Sequence, residues 1–259
     1  MGTRTTNDLF DMSGRVGVIT GGNKGIGLGI ARALAGAGAD IAIWARNQDD
    51  NETAAEGLRG LGVRALPIAC DVADEKSIET ACALTLEEFG RIDACFANAG
   101  FGDAYNPLTV SRERWEEVLR VNLDGSFLTL QVVARHMVER GGGGKLITIS
   151  SITERFGAAK MPGYAASKAA LGGLVRSLAI EFARHDIQVN NLQPGWIETD
   201  ATAGMLANDT LRETVIQRTP ARRWGQARDI EGIALYLASR ASDFHTGDTL
   251  CIDGGYSIF

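Results

Sequence analysis

Short apolar runs alternate with longer helix-forming stretches along almost the whole chain, and this alternation restricts the fold more than any other feature. Seven runs have the length and apolar content of buried strands: Val16–Thr20, Ile41–Ala45, Ala65–Cys70, Ile92–Ala97, Lys145–Ser150, Gln188–Gln193 and Thr249–Ile252. The stretches predicted as helices separate them: Gly25–Ala37, Asn51–Leu61, Glu75–Phe89, Arg112–Val138, Tyr164–Arg184, Leu211–Gln217 and Ala227–Ala238. This alternation predicts an α/β fold with a doubly wound parallel sheet of about seven strands and helices on both faces.

A glycine-rich turn joins the first predicted strand to the first predicted helix. It covers Thr20–Gly27 and spaces its glycines as Gly-x-x-x-Gly-x-Gly. Glycines permit a tight turn and a close approach of the backbone to a pyrophosphate, whose charge the N–H groups at the helix N-terminus stabilise. We therefore predict a nucleotide site in a Rossmann-like sheet. The alternative is an ordinary glycine-rich connection without a ligand.

A second pattern combines Tyr164, Lys168 and Ser151. If Met161 to Arg184 is a helix, Tyr164 and Lys168 are four residues apart and share one face. An ammonium beside a phenol favours the phenolate and so lowers the pKa of the tyrosine from its usual value of about 10. A serine hydroxyl from a strand end can hydrogen-bond the same substrate oxygen. The three residues predict an acid/base site for a carbonyl/alcohol pair, although surface helices also carry Tyr-x-x-x-Lys by chance.

These patterns together resemble the short-chain dehydrogenase/reductase family, in its branch of single-domain enzymes of roughly 250 residues. The resemblance runs from about Ser13 to the C-terminus and implies one nucleotide-binding domain over residues 1–259, with an N-terminal arm over 1–12. Ala97 stands where many members have a second asparagine. The motifs follow in the family's order: Thr20–Gly27, Asp71-Val72, Asn98-Ala99-Gly100, Asn122, Ser151, Tyr164-x-x-x-Lys168, and Pro194-Gly195 followed by Thr199.

The resemblance implies a role for each of four catalytic residues. Tyr164 is the general acid in reduction and the general base in oxidation, and Lys168 favours its phenolate and binds the nicotinamide ribose. Ser151 holds the substrate oxygen; its neighbour Ser150 is a rival that the spacing to Tyr164 disfavours. Asn122 holds a water that links Lys168 to the solvent, and the alternative for Asn122 is a polar residue that only satisfies helix backbone.

The cofactor contacts implied by the resemblance follow the strand ends. They comprise Gly21, Asn23, Lys24, Gly25, Ile26, Gly27, Arg46, Asp71, Val72, Asn98, Ala99, Gly100, Tyr164, Lys168, Pro194, Gly195, Ile197 and Thr199. Members that prefer NAD carry an aspartate at the end of the second strand, where this chain has Ala45 followed by Arg46. Two cations, Lys24 and Arg46, suit a 2′-phosphate and predict NADP(H), with NAD(H) as the alternative. Thr199 also fits an N-cap of the next helix.

The substrate is the least constrained part of the prediction. Candidate substrate residues are Phe101, Thr153, Phe156, Met161 and Trp196, and residues 194–223 form a candidate lid. We expect an NADP(H)-dependent ketone/alcohol oxidoreductase, either a 3-oxoacyl-reductase-like enzyme or a general carbonyl reductase. The alternatives are an NAD-dependent sugar or polyol dehydrogenase and a nucleotide-binding sensor without turnover.

Composition narrows the remaining classes. The 259 residues carry a net charge of −6 with both signs interspersed, which disfavours nucleic acid as a partner. We expect no membrane span, no secretory signal and no metal, since the three histidines lack metal-ligand spacing. Four scattered cysteines suit a reducing cytoplasm. The two longest predicted helices look buried all round, which predicts a homo-oligomer, a tetramer by family resemblance.

Overall fold

The computed structural model describes residues 5–259 of the chain. Seven strands form one sheet in the order β3-β2-β1-β4-β5-β6-β7, and every neighbouring pair is parallel. The strands are β1 Val16–Thr20, β2 Asp40–Ala45, β3 Ala65–Ala69, β4 Ala94–Ala97, β5 Gly144–Ile149, β6 Ile187–Pro194 and β7 Thr249–Ile252. The predicted doubly wound α/β fold is therefore confirmed.

The helices connect successive strands. They are α1 Asn7–Phe10, α2 Gly25–Gly36, α3 Gln48–Arg59, α4 Glu75–Phe89, α5 Arg112–Leu119, α6 Gly125–Arg140, α7 Thr153–Phe156, α8 Pro162–Phe182, α9 Ala203–Leu206, α10 Asp209–Arg218 and α11 Arg228–Ala238. Helix α3 begins earlier than predicted because the Asn47 side chain caps it, accepting hydrogen bonds from the backbone N–H groups of Asp49 and Asp50.

The sheet separates two apolar cores, as alternating strand side chains require. On one face Ile19, Ile41 and Ile43 pack with Ile30 and Leu34 of α2, and residues of α3 and α11 complete this core. On the other face Val18, Ala42 and Trp44 pack with residues of α4, α6 and α8. Both faces of β1 and β2 are therefore buried, which explains their uninterrupted apolar sequences.

The direction in which successive strands extend the sheet reverses between β1 and β4. Strands β2 and β3 lie on one side of β1, and β4 to β7 lie on the other. In open parallel sheets this switch point leaves a crevice at the carboxyl ends of the strands. The glycine-rich turn after β1 and the Asn98 segment after β4 meet there, and their meeting forms the floor of the candidate site.

The helical stretch predicted over Arg112–Val138 is present, but it is not a regular α-helix throughout. The helix is α-helical over α5, widens to a π-helix over Arg120–Asp124, and continues as α6 to Arg140. A π-helical turn accommodates one extra residue without changing the apolar pattern on either side, so the period of 3.6 residues does not reveal it. Asn122 is in the middle of this turn and is fully buried.

Two other predicted segments, the N-terminal arm and the candidate lid, contain short helices. Part of the predicted N-terminal arm is structured: Asn7–Phe10 form α1, Met12 is buried, and Arg240 donates a hydrogen bond to the backbone oxygen of Asp8 at 2.7 Å. The remaining part of the predicted arm, residues 1–4, lies outside the described residues. The candidate lid, residues 194–223, contains α9 and α10, which together cover 14 of its 30 residues. No helix within residues 5–259 is long and apolar enough to cross a membrane.

Candidate active site

One cavity of about 400 Å³ runs along the carboxyl ends of the strands, from the end of β2 to the end of β6. Every residue predicted to contact the cofactor lines this cavity, as do Ser151 and Phe101. Residues separated by up to about 180 positions in the sequence are therefore brought to one crevice, which is the consequence expected of a parallel sheet.

The glycine-rich turn forms a cradle that larger residues would fill. Gly21 has a φ of +61°, a left-handed conformation that only glycine adopts without strain. A Cβ on Gly27 would collide with the backbone oxygen of Gly21 and the Asn98 amide. The N-terminal turn of α2 thus stays open to a phosphate, with its N–H groups free of side-chain caps. This cradle fits the pyrophosphate of a dinucleotide.

Thr20 and Asn98 hold the cradle in place. The Thr20 hydroxyl accepts hydrogen bonds from the N–H groups of Asn98 and Ala99, both at 2.9 Å. The Asn98 amide donates to the backbone oxygen of Thr20 at 2.9 Å. These reciprocal bonds join the ends of β1 and β4 at the switch point, so the two halves of the site move as one unit.

The last residue of β2 is not a carboxylate, and two cationic side chains lie next to it. Ala45 ends the strand, and the exposed side chains of Lys24 and Arg46 line the cavity next to it. The buried Asn51 amide donates to the backbone oxygens of Ala45 at 2.7 Å and Ile68 at 3.1 Å. Its Oδ1 accepts from the Asn23 amide at 2.8 Å, which ties the glycine-rich turn to β2 and β3.

Tyr164, Lys168 and Ser151 converge at the other end of the cavity. Tyr164 and Lys168 lie one turn apart on α8, and the Lys168 ammonium is 5.7 Å from the centre of the Tyr164 ring. The Lys168 ammonium donates to the backbone oxygen of Ile149 at 2.7 Å. The Ser151 hydroxyl is close enough to the Tyr164 phenol to lower its pKa, and it accepts a hydrogen bond from the backbone N–H of Thr153 at 3.2 Å. The rival Ser150 is buried, and its hydroxyl accepts from the Asn191 amide at 2.9 Å.

Burial changes both titrations. Burial raises the pKa of the Tyr164 phenol, and the hydrogen bond from Ser151 opposes that rise without cancelling it. The expected lowering of the tyrosine pKa is therefore absent from the ligand-free protein. Burial also lowers the pKa of the Lys168 ammonium to about 8. The lysine still carries its charge at neutral pH, but it has become a group that exchanges protons within the physiological range.

Asn122 reaches the same point from the π-helical turn. Its Oδ1 accepts from the N–H of Phe101 at 2.9 Å, and its Nδ2 donates to the backbone oxygen of Phe101 at 2.9 Å. A Cβ on Gly100 would lie 3.0 Å from the Asn122 Oδ1 and 3.3 Å from the Lys168 Nζ, so the two side chains meet above Gly100. Asn122 thus aligns the strand β4 extension with α8.

Comparison with known proteins agrees with this geometry. A family model described as enoyl-(acyl carrier protein) reductase matches residues 20–257. A 2-dehydro-3-deoxy-D-gluconate 5-dehydrogenase of Bacillus subtilis is 40% identical over 96% of this chain and 97% of its own. A gluconate 5-dehydrogenase of Gluconobacter oxydans is 34% identical over 97% of this chain and 98% of its own. The chain belongs to the short-chain dehydrogenase/reductase family.

A solved relative shows the same architecture. The crystal structure of a gluconate 5-dehydrogenase from Burkholderia cenocepacia, in complex with NADP and tartrate, is 38% identical and superimposes with a TM-score of 0.93 over 98% of this chain and 99% of that one. This short-chain dehydrogenase/reductase is therefore an oxidoreductase that uses NADP(H) or NAD(H) to interconvert a carbonyl group and an alcohol.

The candidate substrate residues do not all line the cavity of this dehydrogenase/reductase. Phe101 does, whereas Thr153, Phe156, Met161 and Trp196 do not. The Met161 methyl group lies against Gly102, which lines the cavity. Phe156 and Trp196 instead pack edge-on against Tyr256, with ring centres 6.0 Å and 6.3 Å apart. They belong to an aromatic group at the ends of β5 to β7.

Sequence reasoning missed several residues at the site. Val121 and Thr202 line the cavity, and Thr202 accepts from the N–H of Thr199 at 2.9 Å, consistent with the capping role predicted for Thr199. Asn51 looked like a solvated helix residue, and no sequence signal marked it as buried. Tyr256 lies close to the C-terminus and enters the region only because β7 ends there.

Proposed function

We propose that this enzyme is an NADP(H)-dependent oxidoreductase that interconverts a ketone and a secondary alcohol in a polyhydroxy carboxylic acid. The observation that carries the proposal is the convergence of Ser151, Tyr164 and Lys168 in the same cavity as a phosphate cradle. The activities after which the gluconate-type relatives are named support the substrate class.

The chemistry follows from the position of each side chain. The bound nicotinamide supplies or accepts the hydride. Ser151 holds the substrate oxygen by a hydrogen bond, and Tyr164 delivers a proton to that oxygen in reduction and removes it in oxidation. Lys168 favours the phenolate with its charge and restores the proton to Tyr164. Asn122 positions Gly100 and α8 around these groups, which keeps Tyr164 aligned with Ser151.

The preference for NADP(H) rests on charge at the end of β2. A 2′-phosphate carries nearly two negative charges near neutral pH, and Lys24 and Arg46 offer charge-assisted hydrogen bonds to it. Ala45 removes the carboxylate that would repel the phosphate and bind ribose hydroxyls. Asp50 also lines the cavity and weakens the preference, so NAD(H) remains the alternative cofactor.

The other functions share part of this evidence. An NAD-dependent sugar or polyol dehydrogenase and a 3-oxoacyl-reductase-like enzyme would use the same Ser151, Tyr164 and Lys168. A non-catalytic nucleotide sensor would need no proton path, and the buried Lys168 with its lowered pKa is costly to keep without one. Turnover of a carbonyl compound therefore separates the enzyme from the sensor.

The test is an activity screen with both nucleotides. Purified protein is assayed against 5-keto-D-gluconate, neutral ketoses and a 3-oxoacyl thioester, with consumption of NADPH or NADH followed by absorbance. We expect the highest kcat/KM with NADPH and the keto acid. A clear preference for NADH would contradict the role of Lys24 and Arg46, and no turnover with any compound would contradict the enzymatic proposal.

Assembly and location remain predictions. Large apolar side chains such as Ile180, Phe244, Ile258 and Phe259 are exposed in the single chain, which supports a homo-oligomer, with a tetramer predicted by family resemblance. The molar mass from light scattering after gel filtration tests it. The four cysteines are free thiols, three of them buried, and this supports the predicted cytoplasmic location.

A further inference from the structure

Buried polar atoms without a partner gather beyond the catalytic serine. Six buried side-chain nitrogen or oxygen atoms have no hydrogen-bond partner among residues 5–259, and four of them belong to Thr153, Gln193, Trp196 and Arg218. Thr153 follows Ser151 by two residues, Gln193 is near the end of β6, and Trp196 follows that strand. Buried polar groups are nearly always hydrogen-bonded, so these exceptions mark a part of the molecule with unused hydrogen-bonding capacity.

Arg218 is the charged member of this group. Its guanidinium lies 4.2 Å from the ring centre of Tyr256 and 4.9 Å from that of Phe156. Within the described part of the chain its side chain makes no hydrogen bond or ion pair, and its Nε is buried. Arg223, five residues on, is instead paired with Asp229 at 2.6 Å. A partly buried cation without an anion is unfavourable, and the two rings, which meet each other edge-on, offer it cation–π contacts in place of an ion pair.

Arg218, Phe156 and Tyr256 together are called the clamp. The sheet sets the position of the clamp relative to the cavity. Phe156 is at the end of α7, which begins two residues after Ser151, and Trp196 directly follows the cavity-lining Gly195. Tyr256 follows β7 and contacts Trp196 edge-on. Because β5, β6 and β7 are the strands farthest from β2, the clamp lies on the substrate side of Tyr164, remote from the cations that face the adenosine end.

We propose that Arg218, held between Phe156 and Tyr256, anchors the carboxylate of an anionic substrate. A guanidinium binds a carboxylate through two parallel hydrogen bonds, and Arg218 is only partly buried. The proposal rests on the proposed oxidoreductase function and names the side chain that would bind the carboxylate of its acid substrate.

The test compares an acid with its uncharged counterpart. Full-length wild-type protein and the variants R218Q and R218K are assayed with NADPH on 5-keto-D-gluconate and on its amide. R212Q is the matched control, because Arg212 is on the same helix and its side chain pairs only with the exposed Asp209. We expect R218Q to raise KM for the acid by about 10- to 100-fold, the loss of a charge-assisted hydrogen bond, with kcat and the amide little changed. R218K should recover part of the affinity.

A ligand experiment on the wild-type protein covers the case in which the variants fold poorly. Tartrate and its neutral analogue threitol are added as inhibitors of amide turnover at saturating NADPH. We expect tartrate alone to inhibit, in competition with the amide and not with NADPH, since binding at Lys24 and Arg46 would compete with the nucleotide. Inhibition by neither compound would overturn the anchor.

The remaining outcomes separate the two proposals. If wild-type enzyme reduces acid and amide equally well, or R218Q loses both equally, the clamp only packs the C-terminal segment and the anchor is wrong, while the oxidoreductase function stands. If neither compound is turned over with either nucleotide, the proposed function fails and the anchor fails with it.

Discussion

Lys168 shows how much a single buried residue determines at this site. Its side chain is 4% exposed and has only one hydrogen-bond acceptor, the backbone oxygen of Ile149. Desolvation alone lowers its pKa to about 8, while the same desolvation raises the pKa of Tyr164. Burial therefore separates two pKa values that are close together in water, and it leaves the phenol as the weaker acid, so a proton passes from Lys168 to a Tyr164 phenolate rather than the reverse.

For Tyr164 we predict that substitution lowers kcat without weakening the binding of NADPH. Y164F keeps the ring and its packing but removes the hydroxyl that exchanges the proton. We expect kcat to fall by about 10²- to 10⁴-fold, the usual contribution of a general acid–base group. Fluorescence titration with NADPH should give a Kd near that of the wild type. A near-normal kcat would refute the assignment of Tyr164.

For Lys168 we predict that its contribution to the free energy of unfolding depends on pH. A folded-state pKa of about 8 lies below the unfolded value of 10.5, so the unfolded chain binds the proton more tightly between these values. The buried ammonium destabilises the fold fully below pH 8, and this cost disappears as the pH rises toward 10.5. In urea titrations without cofactor, wild type should gain about 2 kcal/mol relative to K168M between pH 7.5 and 9.5. A constant difference would mean that Lys168 is not desolvated.

At the scale of elements, two local irregularities place the catalytic groups. The left-handed Gly21 opens the turn between β1 and α2, and the π-helical turn between α5 and α6 brings Asn122 over Gly100. In that turn the backbone oxygen of Asn122 accepts a hydrogen bond from the Ser126 hydroxyl at 2.8 Å. Both irregularities occur where regular structure would close the cavity, and each is stabilised by its own hydrogen bonds.

For the glycine-rich turn we predict that alanine has opposite effects on stability at two glycines of α2. In G27A the new methyl group would collide with the Gly21 backbone, so the turn must move; we expect destabilisation by about 1–3 kcal/mol and a large rise in KM for NADPH. In the control G36A the methyl group meets nothing within 4 Å, and stability should rise by up to about 1 kcal/mol with KM unchanged. Thermal unfolding and cofactor titration measure both, and similar behaviour of the two variants would contradict the close approach.

At the scale of the whole molecule, opposite ends of the sheet carry function and stability. The carboxyl ends hold the cavity, whereas the amino ends hold a charge network around the buried Asp93. Its carboxylate pairs with Arg91 at 2.6 Å, Arg140 at 2.9 Å and Arg15 at 3.2 Å, and accepts from the N–H of Val16. Burial alone would raise the pKa of Asp93, but these donors hold it below its usual value.

This separation predicts a variant that loses stability but keeps activity. D93N removes the charge that three arginines share, which should destabilise the protein by about 3 kcal/mol. Because the carboxylate pKa is depressed in the folded state, the wild-type advantage should be full at neutral pH and disappear as the pH falls through the folded pKa. Urea unfolding measures the stability. At 25 °C kcat/KM should remain within about twofold of wild type, and a larger loss would show that the two ends are coupled.

The sequence by itself determined the sheet, its parallel direction and the residues that meet at its carboxyl ends. These follow from local periodicity and from rules that hold for any strand–helix alternation, so Gly21, Asn98 and Ser151 could be placed before the structure was known, whereas the place of Tyr164 was implied by the family resemblance. The order of the strands around β1 is seen in the structure, where the glycine-rich turn and the Asn98 segment lie at one switch point.

Only the tertiary structure decided the π-helical turn at Asn122, the burial of Asn51, the direction of the Tyr164 pKa shift and the clamp around Arg218. Each depends on contacts between residues far apart in the chain, such as Phe101 with Asn122 and Arg218 with Tyr256. Local sequence carries the propensity of a segment but not the dielectric or the partners that surround a side chain after folding. Desolvation and hydrogen-bond satisfaction are properties of the packed molecule, and at this site they decide the chemistry.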